Sequence, residues 1–224
     1  MKIELFQGVQ PYRSMVYYQR ALAERVKQGC PDHLLLLEHE PVFTFGVDMQ
    51  GEELADMQLA VVKQGGDVAC INRIGKATFH GPGQVTGYHI SRGFAGNSRE
   101  YIVKMRNTLI EFLQSQYGIP VRKRQGSSGV WHSDKKIASV GPEFVATAPE
   151  LVTMHGFALD VNTNLQNYKL ISPCGYPSDA VISMAEVLGK SLEINGVMER
   201  LAAFFVSHHG LQLEERVQKM SVAG

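Results

Sequence analysis

The residues best suited to covalent chemistry in this sequence are a cysteine and a lysine that lie far apart along the chain. Cys174 stands between Pro173 and Gly175 at the edge of a loop, where a substrate can reach it. Only the thiolate is a good nucleophile, and an ordinary thiol is ionised to only a small extent at neutral pH. Efficient covalent catalysis at Cys174 therefore requires a nearby cation or base. The alternative is a small buried side chain in a turn, which is the commoner role of a lone cysteine.

Lys136 is the candidate partner for this thiol. It begins an apolar, strand-like segment that ends at Gly141, whereas its neighbour Lys135 is expected to face water. A lysine with a buried stem can take up a proton or hold a thiolate as an ion pair. A lysine at this position can equally extend its charge into solvent along the protein surface, and the sequence leaves both interpretations open.

A third segment, residues 73–84, combines three glycines, a proline, two cations and His80. Glycines at this density let the backbone approach a ligand closely, because no Cβ stands in the way. The segment is also typical of a turn between two strands. His155 and Gly156 repeat the His-Gly pair of this segment. Both histidines are candidates for a site, and the alternative is a structural role in the core.

The charge balance gives no sign of a nucleic-acid partner. The chain has 224 residues, of which 22 are Lys or Arg and 22 are Asp or Glu, so that the formal net charge is zero. Nucleic-acid-binding proteins usually show a basic excess or a basic face. The densest basic run, residues 122–124, is interpreted as a solvated strand end. We therefore expect no nucleic-acid partner.

Cysteines, histidines and hydropathy indicate a cytoplasmic protein without a metal site. The three cysteines lack metal-site spacing, and the eight histidines show no two-His helical pattern. Residues 1–6 lack the apolar core of a signal peptide, and no apolar run reaches the roughly 18 residues of a membrane helix. We expect free thiols in a reducing cytoplasm, with no metal, no cofactor and no membrane partner.

Hydrophobic periodicity predicts one α+β domain over residues 1–224, in which a mixed β-sheet is flanked by helices. Helices are expected over residues 12–27, 52–63, 99–117 and 196–208. Strands are expected over residues 2–6, 33–38, 42–45, 68–71, 86–91, 121–124, 129–132, 136–140 and 157–161. The run 33–38 is continuously apolar, which predicts a strand covered on both faces, and the run 68–71 is also predicted to be buried. Ser183 and Glu186 form a capping box at the start of a further helix. Residues 211–224 are a polar tail without a predicted element.

Taken together and in order, five segments resemble the lipoyl(octanoyl) transferase family. They comprise residues 34–41, 73–84, 136–141, 155–160 and 173–175, so that the resemblance extends over roughly residues 33–190. Two positions depart from the family pattern. Ile74 stands where the family usually has glycine, which would tighten or reshape the acyl pocket. Asp160 stands where it usually has asparagine, and a carboxylate pointing inward there would oppose a thiolate.

The resemblance implies a fold like that of the lipoate and biotin protein ligases. It implies that Cys174 is the nucleophile that carries the acyl group and that Lys136 is its activating partner. The residues that the resemblance assigns to the substrate site are Arg73, Ile74, Gly75, Lys76, Ala77, Thr78, Phe79, His80, Ser139, Val140, Gly141, Gly156, Phe157 and Ala158.

The implied reaction moves an octanoyl group from octanoyl-acyl carrier protein to a lysine of a lipoyl domain, as the first step of endogenous protein lipoylation. The implied acceptors are the lipoyl domains of 2-oxoacid dehydrogenase acyltransferase subunits and the glycine cleavage H protein. A thioester on Cys174 is nearly equal in energy to the donor thioester, so that no nucleotide is needed. Both steps pass through an oxyanion, for which backbone amides near Gly75 and Gly141 are the expected donors.

Two other functions remain open from the sequence. An ATP-dependent lipoate-protein ligase would share the fold, but such ligases have a loop richer in glycine and lack the Pro-Cys-Gly nucleophile. The single Gly75 and the presence of Cys174 therefore favour the transferase. A non-catalytic paralogue that binds acyl carrier protein or a lipoyl domain is the second alternative, left open by Ile74 and Asp160.

Overall fold

The computed structural model describes residues 1–93, 98–145 and 151–220. In these ranges the larger sheet consists of β1 (Lys2–Gln10), β2 (His33–His39), β6 (Gln84–Ile90), β7 (Arg122–Lys123), β8 (Val130–His132), β9 (Lys135–Val145), β10 (Val152–Asp160) and β11 (Glu215–Lys219). The smaller sheet consists of β3 (Val42–Phe45), β4 (Asp67–Cys70) and β5 (Ala77–His80). The helices are α1 (Tyr12–Lys27), α2 (Gly51–Lys63), α3 (Ser98–Tyr117), α4 (Met184–Leu188) and α5 (Ile194–His208), and two 3₁₀ turns cover Leu165–Leu170 and Pro173–Gly175.

The larger sheet is mixed, as the sequence predicted. Its strands run in the order β11-β1-β2-β6-β10-β9-β8-β7. β1 is parallel to both β2 and β11, and the remaining neighbours are antiparallel. In the smaller sheet, β3 lies between β4 and β5. With helices packed on the larger sheet, this arrangement confirms the α+β class.

The leucines of β2 explain why helices cover both faces of the larger sheet. Leu34 and Leu36 belong to the core cluster that contains residues of α3 and α5, whereas Leu35 and Leu37 belong to the cluster that contains α1 residues. All four leucines are completely buried. Burial of each contributes roughly 1.5–3 kcal/mol. The prediction of a strand covered on both faces is therefore confirmed.

The helix boundaries agree with the predictions to within two residues. Gly118 has φ +64° and follows the last residue of α3, where a left-handed residue ends a helix without a Cβ penalty. The Ser183 hydroxyl accepts a hydrogen bond of 3.2 Å from the Glu186 amide at the start of α4. α5 begins two residues earlier than predicted because the Glu193 carboxylate accepts hydrogen bonds from the first free amides of the helix.

Three elements differ from the predictions. β4 was expected to be buried, but it is an edge strand, so that Cys70 is exposed. The segment Ala77–His80 forms β5 within what was interpreted as a loop, because glycines and a proline flank the strand. The polar tail contains β11, which pairs in parallel with β1 through backbone groups and therefore needs no apolar pattern.

The strands at the β9–β10 hairpin are longer than the apolar pattern indicated. β9 continues to Val145 and β10 begins at Val152, so that their pairing reaches from Ala138 and Leu159 to the hairpin end. The basic run was interpreted as a solvated strand end, and β7 is indeed an exposed edge strand. Across the described ranges, no helix combines the length and the apolar character needed to cross a membrane.

Candidate active site

A cavity of about 340 Å³ lies between the smaller sheet and the β9–β10 part of the larger sheet. It is lined by these residues of the predicted substrate site: Arg73, Ile74, Gly75, Lys76, Thr78, His80, Ser139, Val140, Gly141, Gly156, Phe157 and Ala158. The structure therefore brings together three segments that are separated by up to about eighty positions in the chain. Whether these residues bind a substrate stays a prediction.

Two residues assigned to the substrate site, Ala77 and Phe79, do not line this cavity. Side chains alternate along β5, so that Thr78 and His80 reach the cavity while Ala77 and Phe79 point to the opposite side. Ala77 and Phe79 are fully buried in the apolar cluster of the smaller sheet. The family motif is continuous in sequence, but only every second residue of a strand can face one side.

The cavity also has walls that the sequence did not identify as such. They are Tyr12, Asp48, Thr86, Tyr88, Gly126, Ser127, Ser128 and Tyr176, and His155 joins them as one of the two histidine candidates. Tyr12 is the first residue of α1, and Tyr88 lies in a strand whose pattern indicated only a role in the core. Tyr176 is the one residue with a usable signal, because it lies two positions after Cys174.

Arg73 stabilises the loop from Arg73 to Lys76, which forms one wall of the cavity. Its guanidinium is buried and donates hydrogen bonds to the Thr44 carbonyl at 2.9 Å, the Lys76 carbonyl at 2.7 Å and the Ile74 carbonyl at 3.2 Å. The same loop lies so close to Gly46 that a Cβ there would be 2.2 Å from the Gly75 carbonyl oxygen. The Arg73 side chain therefore fixes the shape of the loop by binding the loop's own carbonyl groups.

The Gly75 amide is already engaged. Gly75 has φ +106°, and its N–H donates to an Asp48 carboxylate oxygen at 2.8 Å. Gly141 also has a packing role, because a Cβ there would be 2.8 Å from the Ile74 carbonyl oxygen. Of the amides around Gly75 and Gly141 that were expected as oxyanion donors, the Gly75 amide therefore has its hydrogen directed at Asp48, and the wider expectation stays a prediction.

Lys136 is buried at the start of β9, whereas Lys135 is exposed. Its backbone is anchored on the segment after the Cys174 turn, with its N–H donating to the Ala180 carbonyl at 2.8 Å. Its stem packs against Gly129, where a Cβ would be 2.8 Å from Cδ of the lysine. Within the described residues its Nζ has no hydrogen-bond partner, and it lies 5.8 Å from the centre of the Tyr176 ring.

The side chain of Cys174 lies outside the described part of the structure. The backbone of Cys174 is in the 3₁₀ turn Pro173–Gly175, which packs against β5. Gly175 has φ +79°, and a Cβ there would lie 3.3 Å from Cδ of Lys76. The turn therefore lies beside the cavity wall. Tyr176 directly follows the turn, and its ring lies near Nζ of Lys136.

The Asp160 carboxylate points into the protein rather than to solvent. It accepts a hydrogen bond from Nε2 of Gln84 at 3.0 Å and one from the Tyr168 hydroxyl at 3.2 Å. Burial raises the pKa of Asp160 to about 6, although the hydrogen bonds and the charge of Lys136 act in the opposite direction. Asp160 is thus held in a hydrogen-bond network next to the buried lysine.

The histidines around the cavity are buried, which disfavours their charged forms. Burial lowers the pKa of His80 well below its usual range, lowers the pKa of His155, and lowers the pKa of His39 to about 4. His39 Nε2 lies 2.5 Å from the Tyr88 hydroxyl. An uncharged floor made of imidazole and tyrosine rings is compatible with an apolar chain.

His155 is the strained member of this group. It has φ +57°, which non-glycine residues rarely adopt, and its amide donates to the Gln19 side chain at 2.8 Å. Its Nε2 lies 3.3 Å from a carboxylate oxygen of Glu143, and this contact lowers the pKa of Glu143. The chain thus keeps a costly conformation at the cavity wall.

The described residues contain no group of three or more His, Cys, Asp or Glu side chains that could hold a metal ion. The charged groups that line the cavity are instead Arg73, Asp48 and Lys76, which pairs with Glu53 on α2 at 3.6 Å, and Lys136 is buried nearby. This set suits acyl transfer, in which negative charge develops on sulfur and oxygen.

Comparison with known proteins agrees with this arrangement. Residues 10–206 match the family model of the lipoyl protein ligase A/B catalytic domain. An octanoyltransferase from Desulforamulus reducens is 31% identical over 194 residues, which cover 86% of this chain and 83% of that protein. An octanoyltransferase from Thermoanaerobacter sp. is 34% identical over 211 residues, which cover 93% of this chain and 90% of that protein. The chain therefore belongs to the octanoyltransferase family, within the lipoyl protein ligase A/B class, and is an acyltransferase.

Solved structures confirm the expected fold. A lipoate-protein ligase A bound with ATP superposes with a TM-score of 0.77 at 17% identity, covering 97% of this chain and 90% of that one. A bipartite lipoate protein ligase from Thermoplasma acidophilum superposes with a TM-score of 0.72 at 16% identity, covering 97% of this chain and 88% of that one. At these identities the likeness concerns the fold alone.

Proposed function

We propose that this enzyme transfers an octanoyl group from octanoyl-acyl carrier protein to a lysine of a lipoyl domain through a thioester on Cys174. The observation that carries the proposal is the buried Lys136 amine. It has no hydrogen-bond partner in the described residues, and it lies next to Tyr176, two positions after Cys174. A buried amine without a hydrogen-bond partner is costly, which favours an acceptor such as a thiolate as its neighbour.

In the first step, the Cys174 thiolate attacks the carbonyl carbon of the donor thioester. The electron pair of the carbonyl moves to oxygen, and its return expels the thiolate of the carrier arm. The expelled thiolate takes the proton that Lys136 holds. The octanoyl chain is then bound to Cys174 and extends along the cavity floor made of imidazole and tyrosine rings. Its volume of about 340 Å³ lies at the lower end of the range for small-molecule pockets.

In the second step, the acceptor lysine amine attacks the thioester carbon of the acyl-enzyme. The carbon–nitrogen bond forms, the carbon–sulfur bond breaks, and Cys174 leaves as a thiolate. Lys136, now neutral, accepts the proton that the nitrogen loses. The amide product is more stable than the thioester, so that this step runs downhill without a nucleotide or another cofactor.

The proposed partners are octanoyl-acyl carrier protein as the donor, and the lipoyl domains of 2-oxoacid dehydrogenase acyltransferase subunits and the glycine cleavage H protein as acceptors. Acyl carrier protein is a cytoplasmic donor, which is consistent with the proposed cytoplasmic location. Relatives named octanoyltransferase support the acyl group. The archaeal ligase studied together with its E2 lipoyl domain supports the class of acceptor.

The proposal is tested by incubating the enzyme with octanoyl-acyl carrier protein and measuring its intact mass. The unaltered chain should gain one octanoyl group in a hydroxylamine-sensitive bond, and addition of a lipoyl domain should discharge it. Cys174→Ser should neither accumulate a thioester nor turn over. Cys70→Ser removes an exposed thiol far from the 3₁₀ turn in sequence and should acylate normally. Full turnover by Cys174→Ser would exclude the covalent route.

The same mass measurement, repeated with free octanoate and ATP in place of the donor, separates the two alternative functions. ATP-dependent attachment of free octanoate would assign the chain to the ligases. Binding of the carrier protein without any mass gain would indicate a non-catalytic paralogue.

A further inference from the structure

Thr78 has a buried hydroxyl that the proposed mechanism does not yet use. The side chain lines the cavity, only 4% of the residue is exposed, and Oγ1 has no hydrogen-bond partner among the residues that the structure describes. A buried hydroxyl without a partner costs free energy, on the order of 1–3 kcal/mol. Such a group in a cavity calls for an explanation, and a ligand oxygen would supply the missing partner.

The position of Thr78 connects this hydroxyl with the nucleophile. Thr78 lies in β5, and β5 packs directly against the 3₁₀ turn Pro173–Gly175 that contains Cys174. Lys76 immediately precedes β5, and a Cβ at Gly175 would lie 3.3 Å from Cδ of its stem. The hydroxyl therefore lies on the cavity side of the strand that contacts the nucleophile turn.

Two other candidate donors to the thioester oxygen at this wall are already engaged in hydrogen bonds. The Gly75 amide donates to Asp48 at 2.8 Å, and the Arg73 guanidinium donates to carbonyl groups of its own loop. Charge that develops on the thioester oxygen still requires a donor in a fixed position. The Thr78 hydroxyl, in contrast, is a buried donor on this wall that has no hydrogen-bond partner among the described residues.

We propose that the Thr78 hydroxyl donates a hydrogen bond to the carbonyl oxygen of the thioester as it becomes an oxyanion, an inference that rests on the proposed function. In the first step, the sulfur of Cys174 bonds to the carbonyl carbon, the π electrons move to oxygen, and the hydroxyl stabilises that charge. The same contact serves the second step, in which the amine adds and the carbon–sulfur bond breaks. No proton leaves Thr78 in either step.

The test is a comparison of four chains in single-turnover acylation and in steady-state transfer. Thr78→Val keeps the branched shape and removes only the hydroxyl, and Thr78→Ser keeps the hydroxyl. Thr78→Ala is the second deletion variant, in case valine disturbs packing. We expect Thr78→Val to lose about 10²–10³-fold in kcat with little change in KM, to slow acylation and aminolysis alike, and Thr78→Ser to recover most of the rate.

Thr86→Val is the matched comparison, because it removes another buried hydroxyl from the same cavity that has no partner among the described residues. The kcat loss of Thr78→Val should exceed that of Thr86→Val at least tenfold. A kcat of Thr78→Val and Thr78→Ala within threefold of the unaltered chain would overturn the inference. Equal losses in Thr78→Val, Thr78→Ser and Thr86→Val would also overturn it, because they would indicate a packing role.

Failure of this inference and failure of the proposed function give different results. If the unaltered chain forms an octanoyl thioester and Thr78→Val forms it at the same rate, only the inference fails. If the unaltered chain forms no thioester, the proposed function fails and the inference fails with it.

Discussion

The two walls of the cavity differ in how their charged and titratable side chains are held. The wall from the larger sheet includes residues 139–141 and 155–158. The same two long strands hold the side chains of Lys136, His155 and Asp160, which are 3–4% exposed. The wall from the smaller sheet consists of the loop from Arg73 to Lys76 and the short strand β5. Its charges either bind the loop itself, as Arg73 does, or reach solvent, as Lys76 does with a side chain that is 39% exposed.

This difference indicates that the two walls have separate roles. The titratable groups of the larger sheet are buried in its strands, and burial shifts the pKa values of His155 and Asp160. The loop wall shapes the cavity and meets the nucleophile turn. Changes in the larger sheet should therefore alter chemistry and pH dependence, whereas changes in the loop should alter stability and substrate fit.

The strongest test of the first wall is Lys136→Met. Methionine preserves the packing of the stem against Gly129 and removes the amine. We expect turnover to fall by at least about 10²-fold, because one group that handles protons in both steps is lost. Alkylation of Cys174 should also shift to higher pH. The control is Lys135→Met, which removes an exposed neighbour and should leave turnover unchanged. Equal alkylation profiles for Lys136→Met and the unaltered chain would remove Lys136 from activation.

The loop wall is tested by Arg73→Gln. The variant loses charge-assisted hydrogen bonds to the Thr44 and Lys76 carbonyls, so that buried acceptors are left without partners. We expect a loss of about 2–4 kcal/mol in the free energy of unfolding, and each kcal/mol corresponds to roughly 2–4 °C in Tm for a chain of this size. The matched control is Arg13→Gln, whose side chain is 73% exposed. Similar melting temperatures for the two variants would contradict the structural role of Arg73.

Asp160→Asn tests how burial of charge affects stability in the larger sheet. The folded-state pKa of Asp160 is raised from 3.8 to about 6, so that the folded chain binds more protons than the unfolded chain between these values. The Asp160 contribution to stability therefore falls as pH rises through this range, by up to about 3 kcal/mol. Asparagine has no charge to bury, so urea unfolding should find Asp160→Asn more stable at pH 8, with most of the gain absent at pH 4. Lower stability than the unaltered chain at pH 8 would reverse this conclusion.

The smallest expected effect concerns substrate length. Ile74 lines the cavity at the position where the related family usually has glycine. Ile74→Gly should enlarge the cavity, and the ratio of decanoyl to octanoyl transfer should rise about fourfold for each additional methylene accommodated, at roughly 0.8 kcal/mol per methylene. Ile74→Val removes a single methyl group and should show a smaller change in the same direction. An unchanged chain-length profile in both variants would show that Ile74 does not limit the acyl pocket.

Local pattern was sufficient to find most elements of this fold. The 3.6-residue period located α1, α3 and α5, because one face of each helix packs on the sheet. The continuous leucines of β2 indicated two covered faces, since a strand with one solvent face would alternate. The sequence did not predict β11 or β5. β11 is held by backbone pairing and β5 is flanked by glycines, so that neither strand leaves a recognisable apolar pattern.

The sequence by itself determined which residue types are available for chemistry and in what order they occur. Cys174, Lys136 and the segment 73–84 were recognised because their chemistry and motif context are local. The tertiary structure decided which of them share a wall and which hydrogens remain free. It turned Ala77 and Phe79 away from the cavity, directed the Gly75 amide at Asp48, and brought Tyr12 and Tyr88 to its floor. The physical reason is that burial pattern reports only that a side chain is covered, whereas its neighbours depend on strand order and register across the whole sheet.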